Sequence, residues 1–325
     1  MKRIAYFDNA KGILIIFIIL AHVFSLCSNY YNYNDDFFKF AALFMLQCFF
    51  FISAYFSSKS KTSRKKRIIS LLKTYLLWQT IITIYYSFVL NIIDFNLNYM
   101  IPRYTLWFLI TMITYNLLEF ILEKCKAKVM IPLSFIVGLL AGFIPFIGET
   151  LSLSRNFVFF PFYVLGYYVK DLDLLTKIKT NKVKLITIIA SCLILILILN
   201  FNNLLPIKIL KGKFSYFDIN SANVLLVCGQ RILFYIFSIT VSIAFMNLVP
   251  KKESVLTTLG KNTLYIYLTQ GMILKTFVTE KILLNNRVVG TLLLFICAFI
   301  LTIIFTKVIN RVQKITKYKE SVANG

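Results

Sequence analysis

Histidine is almost missing from this chain: His22 is the only one among 325 residues. The six cysteines, Cys27, Cys48, Cys125, Cys192, Cys228 and Cys297, show neither CxxC pairing nor metal-ligand spacing. A zinc or iron site therefore has almost no ligand set to draw on, and no metal is expected. Most of these cysteines fall in apolar runs and read as small apolar packing residues. Charge is scarce, at 15% of residues, and acid scarcer, with 13 Asp+Glu against 36 Lys+Arg. No connection between apolar runs exceeds about 21 residues, which leaves no room for a soluble catalytic domain on either side of a membrane. An internal repeat of the kind found in inverted-repeat transporters is not evident. The apolar run after Met1-Lys2-Arg3 lacks a small-residue cleavage site, so it reads as a retained helix and not as a signal peptide.

What is abundant is apolar: 59% of residues are hydrophobic and the mean hydropathy is +0.77. Such a composition describes a polytopic membrane protein. Ten runs are long enough to span, at roughly 11–28, 37–57, 68–90, 105–122, 129–147, 155–170, 185–201, 223–249, 263–280 and 288–307. The formal net charge of +23 does not point to nucleic acid, because the basic residues cluster in the short segments between runs. With the amino terminus inside, 25 of them lie on inner segments and eight on outer ones: Arg103, Arg155, Lys208, Lys211, Lys213, Lys275, Lys281 and Arg287. The expected fold is an all-α integral membrane protein, a bundle of about ten transmembrane helices with both termini cytoplasmic. Residues 1–310 would form one transmembrane domain and 311–325 a polar cytoplasmic tail.

Against that background His22 stands out, since an ionisable ring in a membrane helix marks a functional site by default. Lys11 lies eleven residues earlier, about 1100° of helical rotation, or within about 20° of three full turns. Both side chains point from one face, about 16 Å apart, and Asp8 falls within about 40° of it. An imidazole can take a proton from a hydroxyl and return it; the plainer reading is a histidine that packs helix to helix. Arg64-Lys65-Lys66-Arg67 opens the third run, with Arg64 and Arg67 on one face where two guanidinium forks could hold phosphates. Equally, the run could be a topology anchor. Arg231, about eight residues into the eighth run, needs a partner or a cavity and is expected to line the interior that holds His22. Arg155 can be read as a cavity residue or an interfacial snorkelling one. Tyr104, Trp107 and Phe108 fit sugar stacking or an aromatic belt.

These residues together resemble the acyltransferase family 3 membrane O-acetyltransferases, in the stand-alone form that modifies cell-surface polysaccharides. Tyr6-Phe7-Asp8-Asn9-Ala10-Lys11-Gly12 with His22 matches that family's basic-residue, ten-residue gap, histidine signature, and Arg64 with Arg67 its Arg-x-x-Arg motif. Weaker matches are Phe49–Tyr55, Leu106–Leu109, Phe160–Tyr167 and Leu259–Tyr267. Gln47, Ala54 and Gln270 depart from the usual proline, glycine and histidine, which leaves His22 as the sole candidate imidazole.

The resemblance implies transfer of an acyl group, acetyl by expectation, from cytoplasmic acyl-CoA to a hydroxyl of a surface or lipid-linked glycan in the bacterial cytoplasmic membrane. His22 would be the general base. Arg64, Arg67 and Lys11 would bind the acetyl-CoA donor, which is a substrate and not a resident cofactor. Asp8, Trp107, Arg155 and Arg231 are the cavity candidates. Expected partners are acyl-CoA, the glycan acceptor, membrane lipid and glycan-assembly proteins, with no nucleic acid. The rival class is a transporter or flippase of a lipid-linked sugar, which would use the same polar interior without chemistry.

Overall fold

The computed structural model describes residues 5–31, 36–169, 171–173, 177–201 and 203–279, with scattered positions between 290 and 311. Lys2, Arg3, Lys170, Lys281, Arg287, part of the 288–307 run and the tail beyond Arg311 lie outside the described residues, as does much of the polar 29–36 connection. Among the described residues there is no strand. The helices are α1 (Ala5–Tyr31), α2 (Asp36–Ala41), α3 (Met45–Ser57), α4 (Arg64–Ile84), α5 (Trp107–Lys124), α6 (Ala127–Leu140), α7 (Leu153–Tyr167), α8 (Asn181–Asn200), α9 (Ile207–Lys211), α10 (Tyr216–Asn220), α11 (Val224–Leu248), α12 (Val255–Lys261) and α13 (Thr263–Thr279).

Six stretches are long and apolar enough to cross a bilayer by length and composition: Ala5–Cys27, Asp36–Ser57, Arg64–Val89, Tyr104–Lys124, Asn181–Asn200 and Val224–Leu248. Three more of the ten expected runs form shorter helices: α6, which continues as a 3-10 turn to Phe143, and α7 and α13, with 15 and 17 residues. The helices sort into layers by what surrounds them. α4, α6, α8 and α11 turn rows of Leu, Ile and Val outward, among them Leu72, Leu76, Val129, Leu133, Ile189, Leu193, Ile232 and Ile236. Apolar surface on that scale suits lipid and not water. α1, α3, α5 and α7 form the interior, where Phe50, Tyr115, Phe159 and Tyr163 are fully buried.

The start of α1 is locked to α12. A Cβ on Gly12 would lie 2.2 Å from the Leu256 carbonyl oxygen, and one on Gly260 would lie 1.8 Å from that of Asp8. The two backbones thus meet directly, which only glycine permits. Beside this contact the fully buried Asn9 uses its whole side chain. Its Nδ2 donates to the carbonyls of Pro250 (2.9 Å) and Lys252 (2.7 Å), and its Oδ1 accepts from Ser254 Oγ (3.2 Å) and Thr257 Oγ1 (2.6 Å). Tyr6 adds a bond from its hydroxyl to the Met246 carbonyl at 2.6 Å.

The second apolar run is broken, with turns at 42–44 dividing α2 from α3. Gln47 Nε2 donates to the Ala42 carbonyl at the break (2.8 Å) and to Ser238 Oγ on α11 (3.2 Å). A side-chain amide here supplies the donor that the interrupted helix lacks.

Replacing Asn9 with Ala removes two donors and an acceptor from a buried junction, at about 1–3 kcal/mol for each group left unsatisfied. Asn9→Ala is expected to lower the melting temperature of detergent-purified protein markedly, as is Gly260→Ala. A melting curve unchanged in both variants would contradict the junction described above.

Candidate active site

A cavity of about 340 Å³ opens where α1, the α2–α3 break, the first turns of α5 and α7, and α9 converge. The volume falls in the roughly 300–1,000 Å³ range of small-molecule sites. Its walls include His22, Met45, Tyr104, Trp107, Arg155 and Tyr267, with Glu149, Lys211 and Lys213 among the remaining lining. The irregular backbone at 42–44 is tolerated at membrane depth because it borders this space.

His22 is half-buried and its ring lies 5.4 Å from that of Tyr104, tilted by 41°. Tyr104 is held in place at a backbone cost: its φ of +44° is left-handed, a conformation that costs a side-chain-bearing residue about 1 kcal/mol or more. The fully buried Gln79 on α4 helps to hold it. Gln79 Oε1 accepts the Arg103 N–H (2.9 Å), and its Nε2 donates to the carbonyls of Asn98 (2.7 Å) and Ile101 (2.9 Å). From α13, Tyr267 donates its hydroxyl to the Thr105 carbonyl at 2.7 Å.

Arg155 and Trp107 are brought together. The guanidinium carbon sits 4.4 Å from the Trp107 ring centre, and Nε donates to the Lys211 carbonyl at 3.2 Å. Trp107 itself is buried against Phe50, Phe108 and Phe159. It is a support for Arg155 rather than an exposed belt residue. Glu149 forms an ion pair with Lys213.

The other sequence candidates lie elsewhere. Asp8 and Lys11 pair at 2.7 Å, with Lys11 Nζ 5.8 Å from the Phe56 ring centre. Arg64 and Arg67 do share a face, and that face meets two glutamates of α5. Arg67 donates through Nε to Asn116 (2.9 Å), through Nη1 to the Thr62 carbonyl (3.0 Å) and through Nη2 to Glu119. Arg64 pairs with Glu123 and, at 3.7 Å, with Glu119. Glu119 also accepts from Ser57 and, at 2.7 Å, from Tyr163. None of Lys11, Arg64 and Arg67 lines the His22 cavity. Along α5, Glu119 is twelve residues beyond Trp107, an axial distance of about 18 Å. Arg231 is fully buried and also absent from the lining. Its Nη1 donates to the Ile209 carbonyl at 3.0 Å, so it sits behind the wall and steadies α9, whose Leu210 and Lys211 do face the cavity.

Sequence reasoning passed over Glu119, although an acid inside an apolar run carries the same signal that singled out His22. Glu149, Lys211, Lys213 and Tyr267 had no such signal, because they reach the cavity from four separate connections or helices. Among the described residues no group of three or more His, Cys, Asp and Glu side chains could hold a metal ion. Chemically, the cavity offers one imidazole, two phenols and an excess of cations, a set suited to proton transfer at an anionic or hydroxyl-bearing ligand.

A search among curated proteins finds no match, and none is found among solved structures. The family model described as an acyltransferase domain matches residues 4–311, nearly the whole chain. The chain belongs to acyltransferase family 3, and is in general terms a membrane acyltransferase.

Proposed function

We propose that this protein moves an acyl group, acetyl in the simplest case, from cytoplasmic acyl-CoA to a hydroxyl of a cell-surface or lipid-linked glycan, with His22 as general base. The observation that carries this reading is the placement of the sole imidazole, half-buried on the wall of the 340 Å³ cavity and in ring contact with Tyr104. In the step proposed, His22 takes the proton as the hydroxyl oxygen attacks the thioester carbonyl. The carbon–sulfur bond then breaks, and the proton passes to the departing thiolate, giving free CoA and the ester. A transporter would release no CoA.

Both termini are proposed to be cytoplasmic, which puts Asp8, Lys11, Arg64 and Arg67 at the inner pole and the His22 cavity toward the outer one. The donor's phosphates would meet Arg64, which pairs with Glu123 and, at 3.7 Å, with Glu119, while Arg67 braces α4 against α5. The rings of Phe50, Phe108 and Tyr115 fill the interior between the poles. For the acyl arm to reach His22 these rings must turn aside.

His22→Ala and His22→Gln are each expected to lower transfer by a factor of about 10²–10⁴ while insertion and expression stay normal. Undiminished glycan acetylation in either variant would remove His22 from the mechanism. Arg64→Ala is expected to raise the KM for acyl-CoA about tenfold or more, from the loss of charge-assisted hydrogen bonds of about 1.5–3 kcal/mol each, without changing that for the acceptor. Arg67→Ala should instead reduce folded yield, because it takes from the buried Glu119 its closest cation; equal KM values in wild type and Arg64→Ala would make the basic run a topology anchor only. Sidedness is read in sealed vesicles of known orientation: acetyl-CoA on the cytoplasmic face should support acylation of acceptor confined to the other face. Transfer only when donor and acceptor share the cytoplasmic face would reject the through-membrane route.

A further inference from the structure

We propose that the acceptor presents an anion to Arg155, a carboxylate or a phosphate, so that the protein acylates an acidic glycan or carrier and not a neutral one. This rests on the cavity being the acceptor site of the reaction proposed above.

Three cations, Arg155, Lys211 and Lys213, line the cavity against one carboxylate, Glu149. That carboxylate is already engaged by Lys213. Among the described residues no carboxylate forms an ion pair with Arg155. A guanidinium at the end of an apolar helix, whose neighbouring carboxylate Glu149 is taken up by Lys213, gains from an anion brought by a ligand. Its geometry is also prepared for one. The Trp107 face on one side and the Nε bond to the Lys211 carbonyl fix the plane of the group. Nε is thereby occupied, which leaves the two terminal amino groups as a fork that fits a carboxylate or phosphate bidentately. Because the side chain is already ordered, little rotamer freedom remains to be lost on binding. A neutral sugar would offer the Arg155 fork no charge to pair with. His22 lines the same space, so an acceptor held by its anion at Arg155 would offer a hydroxyl to the imidazole.

The test uses full-length purified protein and the cell's own glycan, freed of esters by mild base, as the acceptor for labelled acetyl-CoA. One portion has its carboxylates reduced to alcohols; another is released from its lipid diphosphate by mild acid. One of the two treatments is expected to raise the acceptor KM at least tenfold and so to identify the source of the anion. Arg155→Gln should raise the KM of the untreated glycan by a similar factor, add no further penalty on the treated one and leave the KM for acetyl-CoA alone; Arg155→Lys should recover part of the loss. Acceptor KM values unmoved by both treatments overturn the proposal, and so does an Arg155→Gln effect confined to acetyl-CoA, which would make this the donor's pocket. Retention of labelled untreated glycan by wild type but not by Arg155→Gln, measured without donor, supports the anion site even where no transfer occurs, in which case the acyl-transfer reading fails alone. If wild type neither retains nor acylates the untreated glycan, the anion site is rejected with it.

Discussion

At the junction of α1 and α12 two backbones touch with no side chains between them, and much of the rest follows from that contact. Gly12 and Gly260 allow the approach, and Asn9 closes it with four hydrogen bonds to the first turn of α12 and the segment that leads into it. A junction without side-chain padding cannot slide, because any shift drives backbone into backbone. The rotation and height of α1 are therefore fixed at its start. Since α1 is one continuous helix of 27 residues, fixing its start also fixes where His22 emerges, about 16 Å further along.

The cavity exists because neighbouring elements are irregular there and α1 is not. The α2–α3 break, the left-handed backbone at Tyr104 and the short α9 all border it. Each irregularity frees polar backbone groups, and in an apolar bundle those groups need partners from the protein itself. Buried amides and one guanidinium supply them: Gln47 at the break, Gln79 behind Tyr104, and Arg231 behind α9. These polar side chains line no part of the cavity, yet they hold the backbone of its walls.

Two charged clusters are kept apart by an aromatic interior. At one pole Glu119 gathers Arg67, Ser57 and Tyr163 and ties α3, α4, α5 and α7 together. At the other, Arg155 rests on Trp107 with the cations of the wall around it. The rings of Phe50, Phe108 and Tyr115 between them pack at 4.8 and 5.4 Å. α5 runs through both poles and fixes their separation.

The sequence by itself determined that this is an apolar helical protein, which residues lie on one helical face, and the family, because those properties are set by composition and by local spacing. Lys11 and His22 at eleven residues, and Arg64 and Arg67 at three, are relations within single helices, which helical geometry dictates without knowledge of neighbours. Only the tertiary structure decided what those faces meet. Lys11 pairs with Asp8, Arg64 and Arg67 turn to Glu119 and Glu123, Arg231 lies behind the wall, and Tyr104, Trp107, Glu149, Arg155, Lys211 and Tyr267 come to His22 from distant parts of the chain. Such partnerships depend on how whole helices are rotated and how high they sit against one another. Those quantities are fixed by backbone contacts such as Gly260 on Asp8, across about 250 residues of chain, and no local pattern records them.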